Sequence, residues 1–477
     1  MSIAASVSAP DAARDLDGLR RRLSAAGDEL RPLGLGGVLL GRGVVSRVTE
    51  IVAAIRNSAG GDVALLADRR PMAALGGREL KATLAAKLEA ADVPLRRVPI
   101  GDDDGAARAD AETLDRAAAA SAGASVLLGV GSGTVADIGK ALSARAGGIP
   151  HVVVQTAASV NGFADDQSVL LVDGIKRTTP TRWPECLVID SDVLARAPAE
   201  LNRAGLGDLL AGYTAPADWL LAREVGQDDS YSPTAVALAR PHVDAVLDGA
   251  DGIHNGDPDA LDDLAAALTL SGIAMGVAGR TAPGSGLEHT VGHLLELAER
   301  PGEPAPLHGA KVGALSVLAA MLWSRVRTIA RGGGLHGLRF PDADEMRARV
   351  RATFADVDPS GRLAEECWSD YSRKLDRWHA ARAPLATLPD RWPAIDAQLD
   401  DLLASPERLV GALRAARAPV RLSQLGVVDA TARWALAHGH LTRERFTVAD
   451  LAFFMGIWNP GDVDALLVDA ARLGAGL

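Results

Sequence analysis

Three of the ten histidines, His289, His293 and His308, cluster in one part of the chain beside glycines. His289 and His293 are four positions apart, so on a helix they share a face. They sit in Gly284-Ser285-Gly286-Leu287-Glu288-His289-Thr290-Val291-Gly292-His293, and His308 opens a second apolar helical run after Pro306-Leu307. Asp208 follows Gly205-Leu206-Gly207 near the start of another helical run, where capping is the ordinary use of an aspartate. One carboxylate with two or three imidazoles can bind a divalent ion and keep one coordination position open for reaction. His438 and His440 are two apart, on differing helix faces, and read as surface residues. His151, His242, His254, His336 and His379 have no comparable setting. No Gly-x-Ser-x-Gly elbow precedes a helix, so a serine nucleophile is not indicated.

A second chemistry is suggested by Gly131-Ser132-Gly133-Thr134-Val135-Ala136-Asp137, which follows an apolar run and opens a helical one. Glycines there permit a tight turn, and a helix N-terminus attracts an anion such as a dinucleotide pyrophosphate. The pattern is the looser form of Gly-x-Gly-x-x-Gly, with Ala136 as the third small residue. Asp68 ends an earlier strand, where an acid can accept the hydroxyls of an adenosine ribose. Thr156 and Ser159 follow a third strand and bring two hydroxyls to the same carboxyl edge. Each is an ordinary turn residue taken singly.

The elements that must position these groups are legible as hydrophobic patterns. Short apolar runs at 38–40, 63–67, 126–130, 151–154 and 186–189 read as buried strands. Helical patterns lie between several of them, at 44–58, 80–91 and 106–122. This alternation predicts a parallel sheet with crossover helices. Runs at 168–172 and 174–178 predict a hairpin around Asp173-Gly174. Beyond 196 the helical period dominates, with helices expected at 206–224, 233–247, 260–275, 288–298, 308–329, 343–354 and 430–437. The expected organisation is an N-terminal extension over 1–33, a Rossmann-like α/β dinucleotide-binding domain over 34–195, and an all-helical domain over 196–477.

Composition narrows the function class. The formal charge is −11, which argues against nucleic-acid binding. Apolar residues make up 48% of the chain and aromatics 4%, so the core is built from Ala, Val and Leu, and disorder over most of the length is excluded. Cys186 and Cys367 cannot form a disulfide framework and read as reduced thiols. No apolar run reaches the roughly 20 residues that span a bilayer, and residues 1–11 lack the pattern of a secretory signal. The expected compartment is the cytoplasm.

Taken in order, these segments resemble the sn-glycerol-1-phosphate dehydrogenases, a branch of the iron-containing alcohol dehydrogenase and dehydroquinate synthase-like superfamily. The resemblance is carried by the stretches 129–140, 155–163 and 172–178, by Ala204 to Leu210 with Tyr213-Thr214-Ala215 and Ala217-Asp218-Trp219, by 284–289 and 307–313, and by the late segment 443–451. It implies the two-domain architecture of that superfamily, with an interdomain cleft. It implies that Gly131, Gly133, Thr134, Val135, Ala136 and Asp137, with Thr156 and Ser159, line NAD or NADP, and that Asp68 faces the adenosine ribose. It implies one divalent metal, zinc or alternatively nickel or iron, held by Asp208, His289 and His308, with His293 against the substrate. The implied reaction interconverts dihydroxyacetone phosphate and sn-glycerol 1-phosphate. A homo-oligomer is usual among such enzymes. Lys176, Arg177 and Arg182 are candidate cations for the substrate phosphate.

Three positions depart from the family pattern. Where the family's substrate-contacting aspartate stands, this chain has Asn161, which keeps hydrogen-bonding capacity but no charge. Four residues on, where a coenzyme-contacting serine is common, it has Asp165, so a negative charge has moved between the two. Gly212 replaces a frequent lysine. These changes leave two alternatives: the same redox chemistry on another small phosphorylated or polyhydroxylated ketone, or a dehydroquinate synthase-like lyase. Asp68 favours NAD over NADP, because an acid repels a 2′-phosphate. The extra length falls at 1–33 and 335–400.

Overall fold

Six of the strands form one parallel sheet because their apolar residues are covered on both faces. The computed structural model describes residues 8–72, 77–101, 107–172, 175–298 and 305–477. Among these, β1 (Gly37–Gly41), β2 (Val63–Ala67), β3 (Leu95–Pro99), β4 (Val126–Gly131), β5 (His151–Gln155), β6 (Gln167–Val172), β7 (Ile175–Pro180) and β8 (Cys186–Asp190) follow in chain order. The large sheet runs β1-β8-β5-β4-β2-β3, and all its pairings are parallel. Alternate residues divide between two cores, as a period of two requires. Leu65, Leu128, Val130, Val152 and Val154 pack with the helices Val48–Ala59 and Leu80–Ala90. Ala64, Leu66, Leu127 and Val98 pack with Ala111–Ala120 and Gly133–Arg145. The sequence pattern missed β3, whose Arg96 and Arg97 break the apolar run on an edge strand. Strands β6 and β7 form the expected antiparallel hairpin, while its turn, Asp173-Gly174, lies outside the described residues, as does the side chain of Lys176.

The chain divides into two compact units, Met1–Leu209 with Thr234–Thr281, and Leu210–Pro233 with Ala282–Leu477. The boundary expected at 195/196 is thus replaced by several crossings, because the helix Pro258–Ala278 packs with the sheet-bearing unit. The N-terminal stretch also belongs to that unit. Ala12, Ala13, Leu16 and Leu19 are buried, and the Arg14 guanidinium donates to the Leu40 carbonyl at 2.8 Å.

The second unit is helical. Its long helix His308–Arg331 is buried along most of its length, and Leu287–Leu297, Arg362–Ala380, Leu388–Leu402 and Pro460–Arg472 are among its other members. His440, read as a surface residue, is 1% exposed in a turn and stacks on Phe453; the 3-10 turn Gly439–Leu441 removes it from the helical face that the spacing assumed. Cys186 and Cys367 are buried thiols and are not joined in a disulfide. Pro258–Ala278 and His308–Arg331 are long and apolar enough on average to cross a membrane, although acids such as Asp262 and Asp263 keep the continuous apolar run of the first short. Within the apolar windows, 89% and 67% is buried, so both serve as core helices.

Candidate functional site

In the first unit the register brings three loops to one edge. Leu66 pairs with Gly129 and Gly131 with Gln155, so Asp68, Gly131 and Gln155 stand in one row at the carboxyl ends of adjacent strands, where open α/β sheets bind ligands. The helix Gly133–Arg145 starts directly after Ser132, with its N-terminus at that edge. A side chain at Gly131 would place its Cβ 2.3 Å from Val135 Cγ2, so glycine lets the strand end pack closely against the first turn of the helix. Val135 and Ala136 are 2% and 1% exposed, hence their contribution toward a ligand is limited to the backbone.

The loop after β5 is held from below. The Thr156 N–H donates to the Gly131 carbonyl at 3.0 Å. Asn202 Oδ1 accepts the Ala158 N–H at 2.9 Å, and Asn202 Nδ2 donates to Leu194 O at 2.8 Å. Thr156 and Ser159 are buried at 7% exposure each. The Asn161 N–H donates to Asp208 Oδ2 at 2.9 Å, and its side-chain Nδ2 donates to Ser271 Oγ at 3.3 Å. Asn161 therefore places the carboxylate of Asp208 through its backbone, a role its side-chain identity did not reveal. Asp208 itself is the penultimate residue of the helix Ala199–Leu209 and not near a helix start, which corrects the capping reading. It is 2% exposed.

Asp137 and Asp165 have a partner that the sequence did not show. Lys140, fully buried, lies 2.7 Å from Asp165 Oδ1 and 3.3 Å from Asp137 Oδ1, and donates to the carbonyls of Gly162 at 2.6 Å and of Gln167. Burial pushes the Asp137 carboxyl up to about 6 against the pull of Lys140. The charge at Asp165 is matched internally by Lys140, which is a sufficient reason for an acid at that position. Asp68 is likewise paired, with Lys81 Nζ at 3.1 Å.

In the second unit, the helix Leu287–Leu297 carries His289 and His293, and His308 is the first residue of His308–Arg331. The ring centroids of His289 and His308 are 5.1 Å apart, those of His293 and His308 5.8 Å, and those of His289 and His293 6.3 Å. His289 Nδ1 lies 3.0 Å from Glu288 Oε1, and His308 Nδ1 lies 2.9 Å from Glu296 Oε1. A carboxylate on Nδ1 fixes the tautomer and makes Nε2 the ligating nitrogen, the arrangement that metal-bound histidines use. The donor chemistry of the pair fits a divalent cation of zinc type. Lys311 Nζ, buried, shares Glu296 Oε1 at 3.1 Å. Ligand atoms of His293, Glu296 and His308 also fall within 4.8 Å of one another. Burial holds the His293 imidazole well below its ordinary range, with Glu296 opposing and His308 and Arg443 reinforcing.

Glu288 is anchored from three sides. Burial opposes its ionisation, but donors from His289, Thr214 (2.7 Å) and the Gly286 N–H (2.5 Å) outweigh that and hold its carboxyl low. Asp218 next to it is pushed well up, by burial and then by Glu288, while it accepts the N–H groups of Leu287 at 2.8 Å and Val448 at 2.9 Å. Spacing could have pointed to Glu288 and Glu296, one residue from His289 and three from His293. Lys140 closes the stretch 129–140 that carries the resemblance, with no role read for it there, and nothing in the sequence pointed to Lys81 or Asn202.

A family model described as iron-containing alcohol dehydrogenase matches residues 39–198. The glycerol-1-phosphate dehydrogenase [NAD(P)+] of Bacillus licheniformis is 32% identical over 319 residues, covering 64% of this chain and 78% of that protein. The enzyme of the same name from Methanospirillum hungatei is 31% identical over 325 residues, covering 66% and 85%. In fold, the chain is similar to a probable glycerol dehydrogenase from Sinorhizobium meliloti, with TM-score 0.57 at 19% identity, covering 93% of this chain and 99% of the other.

Proposed function

The chain belongs to the glycerol-1-phosphate dehydrogenase family of the iron-containing alcohol dehydrogenases, and from that premise we propose that it reduces dihydroxyacetone phosphate to sn-glycerol 1-phosphate with NADH or NADPH and one divalent metal. The observation that carries the reading is the imidazole pair His289 and His308, each with a buried carboxylate on Nδ1. The proposed ligands are Asp208, His289 and His308, and zinc is the proposed ion. When bound, such an ion supplies Lewis acidity at the carbonyl oxygen, and the coenzyme supplies the hydride.

The remaining roles fall to the protein. Gly131 and Gly133, with the helix N-terminus after Ser132, bind the pyrophosphate, and Thr156 and Ser159 line the coenzyme beside them. Asn161 holds Asp208 in place. Glu288 and Glu296 orient His289 and His308. His293 meets the substrate as a neutral imidazole, able to donate or accept a proton at its oxygen. The lyase alternative is not favoured, since the relatives carry dehydrogenase names.

The test is coenzyme oxidation by the purified chain, supplied in turn with Zn²⁺, Ni²⁺ and Fe²⁺. Absorbance should fall when dihydroxyacetone phosphate is added, and chiral analysis should find the sn-1 product. Turnover of other ketones but not this one, under every ion, rejects the substrate.

A further inference from the structure

The end of β2 carries more charge than a ribose-binding acid requires. Lys81 Nζ lies 3.1 Å from Asp68 Oδ1 and 2.7 Å from the Asp68 carbonyl, and it also donates to the Arg70 carbonyl. Lys81 is the second residue of the helix Leu80–Ala90, an end where the helix dipole disfavours a cation. The carboxylate and two carbonyls offset that cost. Both side chains of the pair are 13% exposed, so it is shielded yet stands at the sheet edge. Arg69 and Arg70 follow at once, and both are exposed.

A lone carboxylate at this place accepts ribose hydroxyls and repels a 2′-phosphate, whereas a neighbouring arginine accommodates it. Paired with Lys81, Asp68 presents no net charge, and the exposed Arg70 follows two residues on. Resting on the coenzyme-linked reading above, we propose that Lys81 sets coenzyme choice. It neutralises Asp68, the 2′-phosphate of NADPH settles beside Arg70, and the chain uses NADPH at least as well as NADH. The reading of Asp68 as an NAD signal is reversed by one contact from a residue thirteen positions away in sequence.

The experiment compares NADPH with NADH, by kcat/KM and by fluorescence titration of binding, in the full-length protein and in Lys81→Met, Lys81→Arg and Asp68→Asn/Lys81→Met. The parent should favour NADPH or use both alike. Lys81→Met should lower the NADPH-to-NADH ratio by at least about tenfold, because the exposed carboxylate then faces a dianion. Lys81→Arg should keep the ratio, and the double variant should recover most of it, the signature of coupled neighbours. An unchanged ratio in Lys81→Met, or an equal loss for both coenzymes, reduces Lys81 to a brace and overturns the inference. Binding of both coenzymes without turnover of any ketone counts against the proposed reaction and leaves the ratio readable by titration. Binding of neither overturns both.

Discussion

Glu288 Oε1 receives His289 Nδ1 at 3.0 Å while its other oxygen accepts the Thr214 hydroxyl at 2.7 Å, and the carboxylate is fully buried. The contact fixes which nitrogen of His289 faces outward from the pair. Glu288→Gln keeps the shape and removes the charge that makes the imidazole a strong donor. The expected result is a loss of about 10- to 100-fold in divalent-metal affinity, read by chelator competition on the purified protein, with NADH binding retained. An unaltered metal affinity would limit Glu288 to a structural role.

His308 stands at a helix start with its Nδ1 on Glu296. His308→Ala removes one of two imidazoles in the proposed ligand set, and activity and metal retention should fall together. Metal content by elemental analysis beside the rate checks this. A variant that keeps both takes His308 out of the site.

Gly205 lies beneath the loop that carries Thr156 and Ser159. A Cβ there would stand 1.8 Å from the Ala158 carbonyl oxygen, and backbone cannot move aside as a flexible side chain can. Gly205→Ala should cost about 1–3 kcal/mol or more and weaken coenzyme binding by displacing the loop. Denaturant unfolding with NADH titration tests both effects; a variant as stable as the parent contradicts the packing argument.

His151 opens β5 with both ring nitrogens buried and unpartnered. Burial, and then the charge of Lys140, push its pKa from 6.5 down to about 3. Between those values the unfolded chain binds a proton that the folded chain does not. The contribution of His151 to stability therefore falls as pH drops from about 6.5 toward 3, by up to about 1.4 kcal/mol per pH unit, and does not change above that window. The raised pKa of Asp137 acts with the opposite sign to His151, equally in parent and variant, and so cancels in the difference. His151→Leu should flatten the acid limb by about one proton, measured from unfolding free energies at stepped pH. Parallel limbs would refute it.

Much of the fold is legible in the sequence. The strands β2, β4, β5 and β8 are continuous Val/Leu/Ile runs because a parallel sheet is covered on both faces, and helical periods marked Pro233–Asp248 and Ala343–Phe354 closely. Motif and spacing also marked Gly131, Gly133, Asp208, His289 and His308. Edge strand β3 escaped because its exposed arginines break the pattern. The helices Arg362–Ala380 and Leu388–Leu402 were not read from the sequence, although the first carries Leu363, Cys367, Tyr371, Leu375 and Trp378 at helical spacing on one buried face.

Sequence alone determined which residue types could bind a nucleotide and an ion, since local pattern sets strand, turn and helix and short spacing sets which side chains share a face. Tertiary structure decided what each charge does. Asp165 answers Lys140, Asp68 answers Lys81, His289 leans on Glu288 and Asn161 serves Asp208 through its amide, and His440 is buried where spacing placed it in water. The effect of a charge depends on burial and on partners a few ångströms away, most of which come from distant parts of the chain and follow no spacing rule.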